Sequence, residues 1–236
     1  MKSISRRSFM GHAAAGVAAF TAPALSAKET DLLYKPGDWQ MTSFQQLLHQ
    51  DAEIKQVYDG TAIEDGNALA HMVNSLNGLQ FGFGVPAAQI KLVGAFRGQA
   101  TMLNFDDHLW EKYRIGEANK INDPKTGKPA TRNIYAASAA GNPPKYASSD
   151  PGNDASAFQD ASIQALQARG VQCLACHIAM HRRATAMVHE MKLQQTPAEV
   201  LEEFTAHLLP GVLVVPSMVS AIAMLQSKGQ FTYLRV

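Results

Sequence analysis

Short apolar runs alternate with amphipathic segments along most of this chain. Runs typical of strands occupy residues 53–59, 89–96, 171–176, 212–215 and 231–234. Between them, apolar spacing indicates helices near residues 44–48, 68–79, 102–113, 158–167, 178–192 and 218–226, with another beginning after Thr196. Continuous apolar strands are buried on both faces in parallel sheets. The pattern therefore predicts an α/β fold, with a mostly parallel sheet flanked by helices on both sides.

Residues 116–155 interrupt this alternation. They are rich in Pro, Gly, Asn, Ser and Lys and show almost no apolar periodicity. We interpret them as a long surface insertion within a single domain that spans residues 28–236. Long loops in compact domains tend to be functional or mobile. An insertion of this length could cover a site at the edge of the sheet.

The first 27 residues have the three regions of a cleavable export signal. Arg6 and Arg7 precede a mostly apolar run at residues 11–24 that contains no acid, and small residues follow it. The arginine pair resembles the twin-arginine export signal. The run is shorter than the roughly 20 apolar residues that span a bilayer. We predict cleavage and a periplasmic working form without stable membrane insertion; an uncleaved anchor is the alternative.

Charge limits the partners of the exported form. The signal contains three of the 21 basic residues and none of the 20 acidic ones, so cleavage leaves a formal charge of −2. Nucleic acids and anionic membrane surfaces select clustered positive charge. We therefore expect neither as a partner.

Cys176 is the main candidate for chemistry. It ends a predicted strand, and a helix begins directly after it. In open α/β sheets ligands bind at the carboxyl ends of strands, and a helix start favours an anion such as a thiolate. His177, His181 and Arg182 follow within two helical turns and could stabilise a thiolate, a persulfide or a bound anion. The alternative is a buried structural cysteine in a non-catalytic interaction protein.

Several segments of the second half are similar to the DsrE/DsrF-like family, small α/β proteins of sulfur metabolism. The matching segments are residues 170–177, where a glycine-valine strand ends in cysteine, the basic pair Arg182-Arg183, and residues 209–217 and 225–229. The resemblance implies a flavodoxin-like fold, frequent homo-oligomerisation and, in several members, a cysteine that carries persulfide sulfur. The position that carries over is Cys176. We therefore expect an exported protein that binds sulfane sulfur or a small anion rather than one that turns over an organic substrate.

The string from Cys173 to His177 also matches C-x-x-C-H, the attachment motif of c-type haem. On a strand, residues three apart point to opposite faces and lie roughly 10 Å apart. Two such thiols cannot reach one porphyrin edge, and a disulfide needs Cα atoms within about 7 Å. A redox C-x-x-C pair would require the motif to lie on a turn or a helix start. An electron-transfer cytochrome remains the alternative to the sulfur-binding interpretation.

A metal site is the last alternative at this position. His177 and His181 are four residues apart, share a helix face and follow Cys176, a ligand set that would suit copper or zinc. No distant cluster of acids or histidines supplies the remaining ligands. We therefore predict no metal and no cofactor.

Overall fold

A computed structural model describes residues 39–236 as one five-stranded parallel sheet with the strand order β4-β3-β2-β1-β5. The strands are β1 (Ile54–Gly60), β2 (Ile90–Phe96), β3 (Gln172–Cys176), β4 (Leu213–Val215) and β5 (Thr232–Arg235). Every neighbouring pair is parallel. This confirms the predicted α/β fold. The twin-arginine signal predicted for residues 1–27 lies outside the described residues.

Eight α-helices connect and flank these strands in the described range. They are α1 (Met41–Leu48), α2 (Asn67–Asn77), α3 (Asp107–Lys112), α4 (Ile115–Ala118), α5 (Ile163–Ala168), α6 (His177–Glu190), α7 (Pro197–Ala206) and α8 (Met218–Ser227). The start of α7 agrees with the prediction from the sequence. Thr196 is the N-cap residue before Pro197, and it forms a capping box with Glu199. Within residues 39–236, no helix combines the length and the hydrophobicity that a bilayer span requires.

Two predicted helices are divided in the structure. At residues 158–167, a 3-10 helix at Ala157–Gln159 precedes α5, which Ser162 caps as a separate helix. The helix predicted at residues 102–113 is divided in the same way. The chain forms a 3-10 helix at Gly98–Asn104 and then α3. The Asp106 side chain accepts a hydrogen bond from the backbone N–H of Leu109 and so caps α3 as a separate helix. The periodicity of the sequence continued across this cap and hid the break.

Two hydrophobic clusters cover the two faces of the sheet. The larger cluster lies on what we call the first face of the sheet and includes residues of α2, α3, α5, α6 and α7. The second face is covered by α1 and α8. The strand order explains this division: the chain steps in one direction from β1 to β4, and right-handed crossovers then keep its connections on one face. The return from β4 to the far edge at β5 places α8 on the other face.

The insertion at residues 116–155 packs on the first face. Ile121 and Ala130 are buried in the first-face cluster. The side-chain amide of Asn133 donates to the carbonyl oxygens of Leu103 and Phe105 at 2.8 and 2.7 Å. A segment that lacks apolar periodicity is thus attached to the domain by a few buried residues and side-chain hydrogen bonds to the backbone.

Candidate functional site

The chain changes face between the ends of β3 and β4. After β3 it enters α6, whose Met180, Ala184 and Met187 are buried in the first-face cluster. After β4 it enters α8, whose Met218 and Leu225 are buried in the second-face cluster. Neighbouring parallel strands whose connections leave toward opposite faces open a crevice at their carboxyl ends, where α/β proteins bind ligands.

A cavity of about 480 Å³ lies at this switch point. Its described walls come from residues 97–99 after β2, from Cys176 and α6 as far as Ala186, and from residues 217–219 at the start of α8. The cavity therefore collects three segments that are distant in the sequence. Its size is within the range of about 300–1,000 Å³ that is usual for small-molecule sites.

Cys176 lies where the N-termini of two helices meet. It is the N-cap residue of α6, yet its side chain makes no capping hydrogen bond to that helix. Its Sγ instead accepts a hydrogen bond from the backbone N–H of Met218, the first residue of α8, at 3.3 Å. Only 6% of Cys176 is exposed, and this residue lines the cavity. Helix N-termini favour negative charge, so an anion bound at this position would face two of them.

Arg97 is held beside Cys176 by a network of hydrogen bonds at the strand ends. Its guanidinium donates to both carboxylate oxygens of Asp59, at 2.7 and 2.9 Å, and the hydroxyl of Tyr233 donates to the same carboxylate at 2.8 Å. Asp59 is 2% exposed. The hydrogen bond with Asp59 raises the pKa of Arg97 against the effect of burial, and the charges of Asp59, Tyr233 and Cys176 add smaller contributions in the same direction. Arg97 is therefore a fixed cation within electrostatic reach of the cysteine sulfur.

Arg182 and Arg183 add two further positive charges to the cavity. Both lie on α6; Arg182 is exposed and Arg183 is half-buried. Among residues 39–236, no acidic side chain forms a salt bridge with either of them, and none belongs to the described lining. Arg97, by contrast, is paired with Asp59. The cavity thus carries a net positive charge from α6.

The structure brings together some of the predicted site residues. Cys176 and Arg182 both line the cavity. His177 is buried, with its ring 5.6 Å from that of Trp39, and His181 is half-buried; neither belongs to the described lining. The helical phase explains this, because His177 lies at the first position of α6 and on the same side as Met180 and Ala184.

Sequence reasoning missed Arg97, Asp59 and the N–H of Met218. Asp59 lies near the end of β1, and Arg97 directly follows β2. Because parallel strand ends meet at one edge of a sheet, polar residues at those ends were the available signal. The contact with Met218 could not be predicted from residue types, because its donor is a backbone N–H.

Cys173 lies on the other side of the sheet from Cys176. It is fully buried in the first-face cluster, whereas Cys176 belongs to the second-face cluster. Burial raises the pKa of Cys173 to about 12, so its thiol stays protonated at neutral pH. The expectation that the two thiols point to opposite faces is confirmed. This arrangement does not fit a haem bonded to both cysteines, and both cysteines are free thiols.

The insertion at residues 116–155, which the sequence left open as a cover for the site, does not line the cavity. None of the described lining residues belongs to residues 116–155. The reason is topological: the insertion follows β2 and packs on the first face, while the cavity opens between α6 and α8. No group of three or more His, Cys, Asp or Glu side chains that could bind a metal ion occurs in the described part of the chain.

Comparisons with models of protein families, with curated proteins and with solved structures found no match to this chain. The functional assignment therefore depends on the geometry of the cavity.

Proposed function

We propose that this protein binds small anionic sulfur species in the cavity between α6 and α8 and carries sulfane sulfur on Cys176. The single observation that carries the proposal is the position of Sγ. It accepts the N–H of Met218 where two helix N-termini meet, and it borders a cavity with three arginines. Such surroundings offer an anionic ligand both N–H donors and positive charge.

The proposed loading step is the transfer of one sulfur atom. The thiolate of Cys176 attacks the terminal sulfur of a donor R–S–SH. A bond forms between Sγ and that sulfur, the S–S bond of the donor breaks, and R–S⁻ leaves with the electron pair. The products are Cys176–S–SH and R–S⁻, so no external oxidant or reductant is required. The proton of the donor stays on the transferred sulfur or passes to solvent.

Nearby groups would stabilise the negative charge on sulfur during this step. Arg97 is fixed by Asp59 and stabilises negative charge on the sulfur before and after transfer. The N–H groups of the first turn of α8 have no partner within their helix. Met218 already donates to Sγ, and Val219 lines the cavity, where its backbone N–H would donate a hydrogen bond to the added anionic sulfur.

The place of action and the assembly state are part of the same proposal. The twin-arginine resemblance of residues 1–27 leads us to propose a periplasmic protein, which would meet small sulfur compounds outside the cytoplasm. The family resemblance leads us to propose a homo-oligomer.

The test is sulfur loading of purified protein with a persulfide donor, followed by intact mass and release of the added sulfur by reductant. We expect the wild-type protein to gain one sulfur atom and the Cys176→Ser variant to gain none. Cys173→Ser is the matched control and should load as the wild type does. Circular dichroism checks that both variants are folded. Equal loading of Cys176→Ser and the wild type would refute the proposal.

A further inference from the structure

The cavity beside Cys176 is much larger than the sulfur atom that the proposed function transfers. A volume of about 480 Å³ accommodates a ligand of many heavy atoms. A cavity that served only hydrosulfide or inorganic polysulfide would not need this space. Its size therefore indicates that the donor's carrier group R also binds.

The backbone positions of Arg182 and Arg183 are fixed relative to Cys176. The two arginines are six and seven residues after Cys176 on α6. At 1.5 Å per residue, their Cα atoms lie about 9–10.5 Å from that of Cys176 along the helix axis. An extended peptide spans about 3.3–3.6 Å per residue, so a ligand of roughly three residues could run alongside this part of the helix.

The two arginines differ from Arg97 in what they can bind. Arg97 already makes two hydrogen bonds to Asp59. Arg182 and Arg183 have no acidic partner among residues 39–236. Arginine binds carboxylates through paired hydrogen bonds, which gives geometric selectivity as well as affinity. Two arginines in one cavity, without an acidic partner in the described part of the chain, are thus suited to carboxylates of a ligand.

Part of the cavity lining is apolar. Ile178 and Ala179 from α6 and Met218 and Val219 from α8 line the cavity together with the arginines. Such a lining suits the methylene groups and peptide chain of a ligand that also carries charge.

On the basis of the proposed function, we infer that the sulfur donor is a low-molecular-weight peptide persulfide whose carboxylates are bound by Arg182 and Arg183. The peptide would lie along α6 with its persulfide at Cys176. After transfer, the carboxylated thiolate would leave from the same position.

The first test compares two donors that differ only in charge: glutathione persulfide and the persulfide of glutathione diethyl ester. At limiting donor concentration, we expect the wild type to load roughly tenfold faster from the carboxylated donor, which corresponds to about 1.4 kcal/mol. The variant Arg182→Gln/Arg183→Gln should lose this preference and keep its rate with the diester. The control Lys125→Gln/Lys128→Gln removes two exposed charges from the insertion and should behave as the wild type does.

Equal wild-type rates with both donors would overturn the inference and leave the proposed function standing. An equal loss of rate with both donors in the arginine variant would also overturn it, because the arginines would then act without regard to carboxylates. Loading from neither donor would refute the proposed function itself.

A second test separates binding from transfer. S-methylglutathione retains both carboxylates but has no transferable sulfur, and its binding to Cys176→Ser is measurable by calorimetry. We expect binding that weakens roughly tenfold when Arg182→Gln/Arg183→Gln is added. Undetectable binding, or binding that is unchanged by the arginine substitutions, would overturn the inference whatever the outcome of sulfur loading.

Discussion

The sulfur of Cys176 accepts a hydrogen bond from the backbone N–H of Met218, although 42 residues separate them in the sequence. Cys176 ends β3 and Met218 begins α8, so one atom joins the end of a strand to the N-terminus of a helix on the second face. The same sulfur lies at the start of α6. The reactivity of Cys176 therefore depends on how two helices are placed as well as on the side chains around it.

The two cysteines should differ sharply toward alkylation. In the native protein we expect iodoacetamide to modify Cys176 alone, because Cys176 borders the cavity whereas Cys173 is fully buried with its pKa raised to about 12. Intact mass should show one added group before denaturation and two after it. The Cys173→Ala variant should still take one group in the native state. Similar rates for both thiols in the native protein would contradict the described burial.

Replacing Asp59 by Asn should destabilise the carboxyl ends of the strands. The amide cannot pair with the Arg97 guanidinium through two charged hydrogen bonds, and it leaves that cation without its buried partner. We expect the free energy of unfolding to fall by about 1–3 kcal/mol in urea titrations. Tyr233→Phe is the graded control, since it removes one hydrogen bond from the same carboxylate and should cost about 1 kcal/mol. A fully stable Asp59→Asn variant would show that the ion pair contributes nothing net.

Glu203 should make the stability dependent on pH. Burial raises its pKa, but hydrogen bonds from four side chains outweigh burial and lower the pKa from 4.5 to about 2. The donors are Lys112, Tyr113, His108 and Gln195. A carboxyl whose folded pKa is depressed stabilises the fold above its unfolded pKa and loses that contribution as the pH falls toward the folded value.

The comparison of Glu203→Gln with the wild type measures this effect. We expect a stability deficit of about 2 kcal/mol at pH 7 that shrinks as the pH falls from about 5 toward 2. Chemical denaturation at several pH values gives the profile. Glu202→Gln, an identical change at the exposed neighbouring position, should show little deficit at any pH. A deficit for Glu203→Gln that is independent of pH would argue against the depressed pKa.

Gly116→Ala should loosen the attachment of the insertion. A Cβ at residue 116 would meet the backbone of Ala130, with its nitrogen only 2.7 Å away. Because backbone cannot rotate aside as a side chain can, we expect a loss of about 1–3 kcal/mol. Gly78→Ala is the control, since nothing lies within 4 Å of its added Cβ, and its helical position should favour alanine by about 0.5–1 kcal/mol. Thermal unfolding of both variants decides between these outcomes, and equal stability of the two would contradict the close contact.

The sequence was sufficient for the strands and for the position of Cys176, but not for the breaks within two helices or for the surroundings of the cysteine sulfur. Alternation predicts β1, and β2 to β4 are short apolar runs, so these strands could be predicted locally. The pairing of Asp59 with Arg97 depends on which strands are neighbours, and periodicity does not contain strand order. Likewise, packing against the sheet determines which side of α6 faces the cavity. This orientation places Arg182 in the cavity lining and buries His177.

The spacing of the two cysteines on β3 has a consequence for any sulfur bound to Cys176. A second thiol of the same protein can discharge a persulfide by attacking its inner sulfur, which forms a disulfide and releases hydrogen sulfide. Here the thickness of the sheet separates Cys173 from that sulfur. A sulfur atom bound to Cys176 would therefore be removed by an acceptor from another molecule, because the buried Cys173 could not attack it.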